Sequence, residues 1–200
     1  MRDNEAIYTE KKNGLTIKIY QSDCHESPRE WDNLGTMVCF HNRHNLGDKH
    51  TMSIEEAKEL SQSKDVISLP LFLYDHSGIT ISTKPFSCPW DSGQVGFIYI
   101  TKEKIKAEYG NAGKKGIEKA NKYMQGEVRE YDNFLTGNVY GFVIEDENGE
   151  HIDSRYGFFG DYDGKDFGAL HEARAAVDYM THQGTTDHNG QVLLPVLASC

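Results

Sequence analysis

Between Leu69 and Ile100, reactive side chains are gathered beside two apolar runs. Asp75-His76-Ser77-Gly78 follows Leu69 to Tyr74, and Cys88-Pro89-Trp90-Asp91-Ser92-Gly93 precedes Val95 to Ile100. Apolar runs of this length, bounded by Gly and Pro, read as strands of a packed sheet. They would hold Asp75, His76, Cys88 and Asp91 in fixed positions at its margin. Carboxylates and an imidazole so placed suit a hydrolytic site in which Asp75, His76 and Asp91 surround a metal ion and one carboxylate serves as base. The same residues also suit plain construction: Asp75 capping its turn, Trp90 plugging the core edge and Cys88 acting as a small buried hydrophobe.

A second cluster runs from Cys39-Phe40-His41-Asn42-Arg43-His44 to Asp48 and His50. His41, His44 and Asp48 are the set that a transition metal would select, since it needs imidazoles and carboxylates converging within about 2 Å of the ion. No helix fixes the His pair as in an H-E-x-x-H motif, so a polar loop with one backbone-anchoring His is the competing reading. Asp91-Ser92-Gly93 has the form of an aspartic-protease turn, but that chemistry needs two such carboxylates sharing a proton, and His76 interrupts the second copy. Asp161-Tyr162-Asp163-Gly164-Lys165-Asp166 echoes a calcium loop, with Lys165 and Asp166 where an oxygen ligand and Gly are required. No P-loop, G-x-G-x-x-G after a strand, G-x-S-x-G or C-x-x-C occurs, which disfavours the common routes of nucleotide hydrolysis, Rossmann cofactors and α/β-hydrolase chemistry. No cofactor is expected beyond the metal ion of the hydrolytic reading.

Alternation at Leu15 to Tyr20 predicts a half-buried strand, and Thr36 to Phe40 a short buried one. Ser53-Ile54-Glu55-Glu56 has the spacing of a capping box and predicts a helix over about 54 to 62. Strands follow at 67 to 74 and 79 to 83, joined by a tight turn at Asp75 to Gly78. Another spans Val95 to Thr101, with Thr101 as N-cap of a helix from Lys102. Ile117, Ala120, Met124, Val128, Tyr131 and Leu135 recur at three and four, one stripe of a helix over about 115 to 135. Strands at 138 to 145 and 151 to 158 flank Asn148-Gly149, and a last helix spans about 167 to 180. Turns this short do not permit parallel crossovers. The expected fold is α+β, a mainly antiparallel sheet with helices packed on one face, forming a single domain over 1 to 180 with a loosely ordered tail over 181 to 200.

The chain has 200 residues and 38% hydrophobic composition, enough for a sizeable core. It lacks a long apolar run and an N-terminal signal pattern, and its four cysteines are widely spaced, so a soluble cytoplasmic protein with reduced thiols is expected. The net charge of −10 argues against duplex DNA or an anionic membrane as the main partner. Residues 102 to 122 hold seven Lys against three Glu, whereas 137 to 188 hold eleven acids against three bases. That acidic region, with Glu145, Asp146, Glu147, Asp161, Asp163 and Asp166, is the candidate partner-binding surface for a basic groove on another protein; two solvated faces that keep the protein soluble are the alternative.

Several phrases resemble a family of small acidic proteins encoded by bacteriophages and mobile elements. They are Ser27 to Gly35 (SPREWDNLG), Leu73 to Gly78 (LYDHSG), Cys88 to Gly96 (CPWDSGQVG), Tyr131-Asp132, Leu135-Thr136-Gly137, Val139-Tyr140-Gly141 and Gly157-Phe158-Phe159-Gly160. The resemblance spans roughly 27 to 180 and implies a setting, with no catalytic residue to carry across. In that setting the expectation is a non-enzymatic inhibitor of host defence or nucleic-acid machinery, of the anti-CRISPR or antirestriction kind, working in the host cytoplasm on a host protein or protein–nucleic-acid complex. The alternative is a metal-dependent hydrolase acting on a nucleotide or nucleotide signal.

Overall fold

The alternating strand at Leu15 finds its long-range partner about 120 residues downstream. The structure is a computed structural model that describes residues 5–23 and 26–182. In chain order its elements are β1 (Tyr8–Lys12), β2 (Leu15–Gln21), a 3-10 turn (Pro28–Glu30), β3 (Thr36–Cys39), α1 (Ile54–Ser61), β4 (Val66–Asp75), β5 (Ile79–Ser82), β6 (Ser92–Thr101), α2 (Lys102–Tyr109), α3 (Lys114–Leu135), β7 (Val139–Glu145), β8 (His151–Phe159) and α4 (Ala169–His182). The α+β class and the antiparallel pairing are as expected. The strands, however, form two four-stranded sheets, β1-β2-β7-β8 and β3-β6-β4-β5. By contacts the chain divides into two compact units, residues 1–24 with 137–200, and residues 25–136. The second unit is thus inserted in sequence between β2 and β7.

In the first unit, β1 and β2 form a hairpin that the alternation alone did not reveal. Its turn is Asn13-Gly14, with φ of 51° and 82°. Both values lie in the left-handed region that Asn tolerates and Gly adopts freely, the requirement of a two-residue hairpin turn. Register pairs Ile17 with Ile144 and Ile19 with Phe142, which puts four fully buried side chains on one sheet face. The helix α4 covers that face with Ala169, Leu170, Ala173 and Val177. Ion pairs Arg174–Glu10 (2.7 Å) and Lys12–Asp178 (2.7 Å) tie the helix to β1 at its rim. Residues from 183 lie outside the described residues, as does most of the expected tail; Thr181 and His182 close α4.

In the second unit, Met37, Cys39, Leu71, Leu73, Ile98 and Ile100 point to one face, where α2 and α3 contribute Ile105, Ala120, Met124, Val128 and Tyr131. The intervening residues Val38 and Phe97 point the other way and pack with Ala57 of α1, so this sheet carries helix on both faces. The capping box at the start of α1 is made as its spacing predicts. Ser53 Oγ accepts from the Glu56 N–H (3.2 Å), and Glu56 accepts from the Ser53 N–H (2.8 Å). Pro70 sits in β4 before its pairing with β5 begins at Phe72, so its missing N–H removes no bond on that side. Among the described residues, no helix is long and apolar enough to cross a membrane.

Candidate functional site

Three loops of the second unit meet where β4 ends and β6 begins. The two strand ends are pinned by Asp75 N–H donating to Asp91 O (2.8 Å), and the turn after β4 closes through His76 N–H to Gly78 O (3.0 Å). The loop before β6 is closed by Ser92 Oγ donating to Cys88 O. In the loop after β3, His41 Nδ1 faces the N–H groups of Arg43 and His44 (3.3 Å each), and the two imidazoles stack with centroids 5.1 Å apart. Short loops on paired strands thus deliver side chains from three chain segments to one place.

Asp75 and Asp91 organise the cluster. Asp75 Oδ2 receives Arg43 Nη2 at 2.7 Å and lies 3.2 Å from His44 Nε2. Asp91 Oδ2 lies 3.2 Å from His76 Nδ1 and 3.7 Å from Cys88 Sγ. The hydrolytic set Asp75, His76 and Asp91 is therefore brought together, with His76 on Asp91 and Asp75 beside both. A carboxylate on one ring nitrogen fixes an imidazole's tautomer and leaves the other nitrogen for proton transfer. The Cys88 thiol meets the carboxylate rather than the imidazole, so the chain of nucleophile, base and orienting group is not formed. Trp90, expected to plug the core edge, is instead 91% exposed.

The metal set His41, His44 and Asp48 is not assembled. Asp48 accepts two bonds from Arg29, Nε to Oδ1 and Nη2 to Oδ2 (2.8 Å each), and one from Met37 N–H (2.8 Å). Among the described residues, no group of three His, Cys, Asp or Glu side chains converges as a metal ion would need.

Asp48 belongs instead to a buried ionic network absent from the sequence reading. Arg29 Nη1 meets Glu127 Oε2 at 3.0 Å, and Nη2 donates to Gly35 O at 2.8 Å. Glu127 Oε1 accepts the N–H groups of Leu34 (2.7 Å) and Gly35 (3.1 Å). Burial works against the Arg29 charge, but Asp48 and then Glu127 more than offset it and hold the guanidinium's pKa above its ordinary value. Every charged atom has a partner, the condition under which a buried ion pair persists. This network anchors the Ser27 to Gly35 phrase onto α3 and is structural. A signal was present in the sequence: Glu127 falls on the apolar stripe, three residues after Met124 and four before Tyr131.

The six acidic residues expected to form the partner-binding surface divide into two groups. Glu145 is paired with Lys18 (2.7 Å). Asp146 closes the β7–β8 turn, accepting N–H bonds from Asn148 and Glu150 (2.8 Å each), and the Glu150 bond is the main cause of its lowered pKa. Glu147 is exposed at the same turn. Asp161, Asp163 and Asp166 are exposed in the loop after β8. Nine residues of β8 separate the two groups, about 26 Å at the rise of a strand. They do not form one patch.

The loop after β8 is firmly built. Gly160 N–H donates to Asn138 O (2.9 Å), Gly164 N–H to Asp161 O (3.2 Å) and Leu170 N–H to Tyr162 O (2.9 Å). The Tyr162 ring is set among Tyr8 and Tyr140. Gly168 has φ of 132°, and a Cβ there would come 2.8 Å from Asp161 O, so only glycine closes the loop this tightly. This closed frame leaves Phe167 72% exposed.

Fold and site together define an α+β protein of two antiparallel sheets with a loop-built cluster of His, Asp, Arg and Cys at one sheet end. Compared with protein-family models, curated proteins and solved structures, the chain matches none.

Proposed function

We propose that this chain is a non-enzymatic acidic binding protein, encoded by a bacteriophage or mobile element, that inhibits host defence or nucleic-acid machinery in the host cytoplasm. The contact face in this reading is the loop after β8, with Phe167 as anchor and Asp161, Asp163 and Asp166 as rim. The observation that carries it is the 72% exposure of Phe167 on a loop closed by internal hydrogen bonds. An exposed aromatic on a backbone pinned by hydrogen bonds leaves less loop entropy to lose on binding, and buried aromatic anchors supply most of the energy of an interface. Carboxylates around it steer the encounter with a basic surface and suppress acidic partners. The phage setting rests on the phrase resemblance given above.

The test is capture of partners from the native host by the full chain, read by mass spectrometry and followed by affinity measurement at two salt concentrations. Phe167→Ala is expected to weaken binding by about 2 kcal/mol or more. Reversal to D161K/D163K/D166K is expected to slow association and remove most of the salt dependence. Charge-reversed protein that binds and inhibits as before would sink this reading.

A second reading is a metal-dependent hydrolase acting on a nucleotide or nucleotide signal: the His76–Asp91 pair supports its acid–base part, while the Asp75 carboxylate is engaged by Arg43 and His44. Purified protein without stoichiometric metal, together with full activity in cells of His76→Ala and Asp91→Ala, would remove it.

A further inference from the structure

The sheet face of the first unit that α4 does not cover carries a cleft of about 380 Å³, lined by Tyr20, Gln21, Ser22, Asp23, Val143 and Tyr156. Register explains how it arises. Tyr20 pairs with Gly141 across β2 and β7, and Gly141 pairs with Tyr156 across β7 and β8. The three form one row on one face, with two tyrosines flanking a glycine. A Cβ at Gly141 would fall 2.1 Å from the Tyr156 ring, so that ring lies over the glycine backbone. Covering a glycine accounts for one side of the ring. It does not account for the rest, because Tyr156 remains 57% exposed. Among the described residues, neither Tyr20 nor Tyr156 stacks on another ring.

We propose that this cleft binds the alkylated ammonium head of an organic cation. Aromatic faces attract such a head through their quadrupoles, and paired aromatic walls with a nearby carboxylate are the arrangement that suits a cation unable to donate hydrogen bonds. Asp23 supplies the carboxylate, and no cationic side chain is among the lining residues. Lys18, the next residue along β2 on this face, is neutralised by Glu145 at 2.7 Å. The unit as a whole, residues 1–24 and 137–200, holds fifteen acids against seven bases, a balance of −8 that enriches cations at its surface. An anion has no counter-charge here, and a neutral apolar ligand gains nothing from Asp23. The inference is independent of the binding reading at Phe167.

The test is an NMR titration of the full ¹⁵N-labelled chain with choline, with 3,3-dimethylbutanol as its neutral isostere, and with peptides bearing trimethyllysine or unmodified lysine. Choline is expected to shift the amides of residues 20–23, 141–143 and 156 saturably, and the neutral isostere to bind at least about tenfold more weakly. Tyr156→Phe keeps the ring and is expected to keep binding, Tyr156→Ala to lose about tenfold, and Asp23→Asn to weaken binding several-fold. Tighter binding of the trimethyllysine peptide than of choline identifies a modified side chain as the source; the reverse identifies a free small molecule. Equal binding of the isostere, absence of shifts at these amides, or an unchanged response in Asp23→Asn together with Tyr156→Ala overturns the proposal. If Tyr156→Ala unfolds, the isostere and Asp23→Asn still decide.

Discussion

The two units handle charge in opposite ways. Residues 25–136 hold sixteen acids against fourteen bases, a balance of −2, and bring Arg29 and Glu127 into the interior with Asp48 at the edge. The other unit has a balance of −8, and its core is apolar throughout, with its described ion pairs at the rim. A buried network gives geometric definition, because each atom accepts only one arrangement of partners. A surface with an excess of carboxylates gives long-range attraction for cations and little definition. Here definition resides in the inserted unit and attraction in the unit whose sequence the insertion interrupts.

The sharpest way to break this contrast is Glu127→Ala. It removes the acceptor of Arg29 Nη1 and of the Leu34 and Gly35 N–H groups, leaving Asp48 as the only carboxylate on the guanidinium, and is expected to cost about 3–5 kcal/mol in urea unfolding, the range for removing one partner of a buried pair. The second test concerns thiols of the inserted unit. Burial is the first cause that pushes the Cys39 thiol up to about 12, with Asp48 adding to it, whereas Cys88 is only half-buried. At pH 8, iodoacetamide is expected to label Cys88 well before Cys39, read peptide by peptide in a mass spectrometer; comparable rates would show that the loop after β3 opens readily.

The smallest effect belongs to the first unit. The Arg174 guanidinium is the main reason that the Glu10 carboxyl sits below its ordinary range. A depressed folded pKa gives stability that is present above the unfolded value of about 4.3 and lost as pH falls through the folded one. The pair is partly exposed, so Glu10→Gln is expected to cost under about 1 kcal/mol at neutral pH, with the variant and native stabilities converging in acid. A loss as large as that of Glu127→Ala would erase the contrast.

Local rules carried much of the fold. The stripe from Ile117 to Leu135 is the helix whose Ala120, Met124, Val128 and Tyr131 are buried, and Ser53 and Glu56 make their capping box. What local rules could not supply is partner choice across distance. Nothing near Ile17 says that it pairs with Ile144 rather than with the strand at Thr36, so two sheets looked like one. The same limit hid the ionic network, since Arg29, Asp48 and Glu127 are each ordinary in their own neighbourhood. At the cluster, Asp75, His76 and Asp91 lie near one another because two turns of adjoining strands place them. The sequence reading misjudged Trp90, whose exposure depends on a loop path that residue types do not dictate.

The insertion between β2 and β7 also has a consequence for synthesis on the ribosome. The β1–β2 hairpin emerges ahead of the inserted unit, with Ile17 and Ile19 on a face that β7 and α4 complete. At about 5–20 residues per second, Ile144 follows Ile17 by some 6 to 25 seconds. Throughout that interval the nascent chain carries an uncovered apolar ribbon, while the whole of the inserted unit is made and can close its own core. The first unit therefore completes its core only after the inserted unit has been made, and its waiting hairpin is where a chaperone or a misplaced neighbour would take hold.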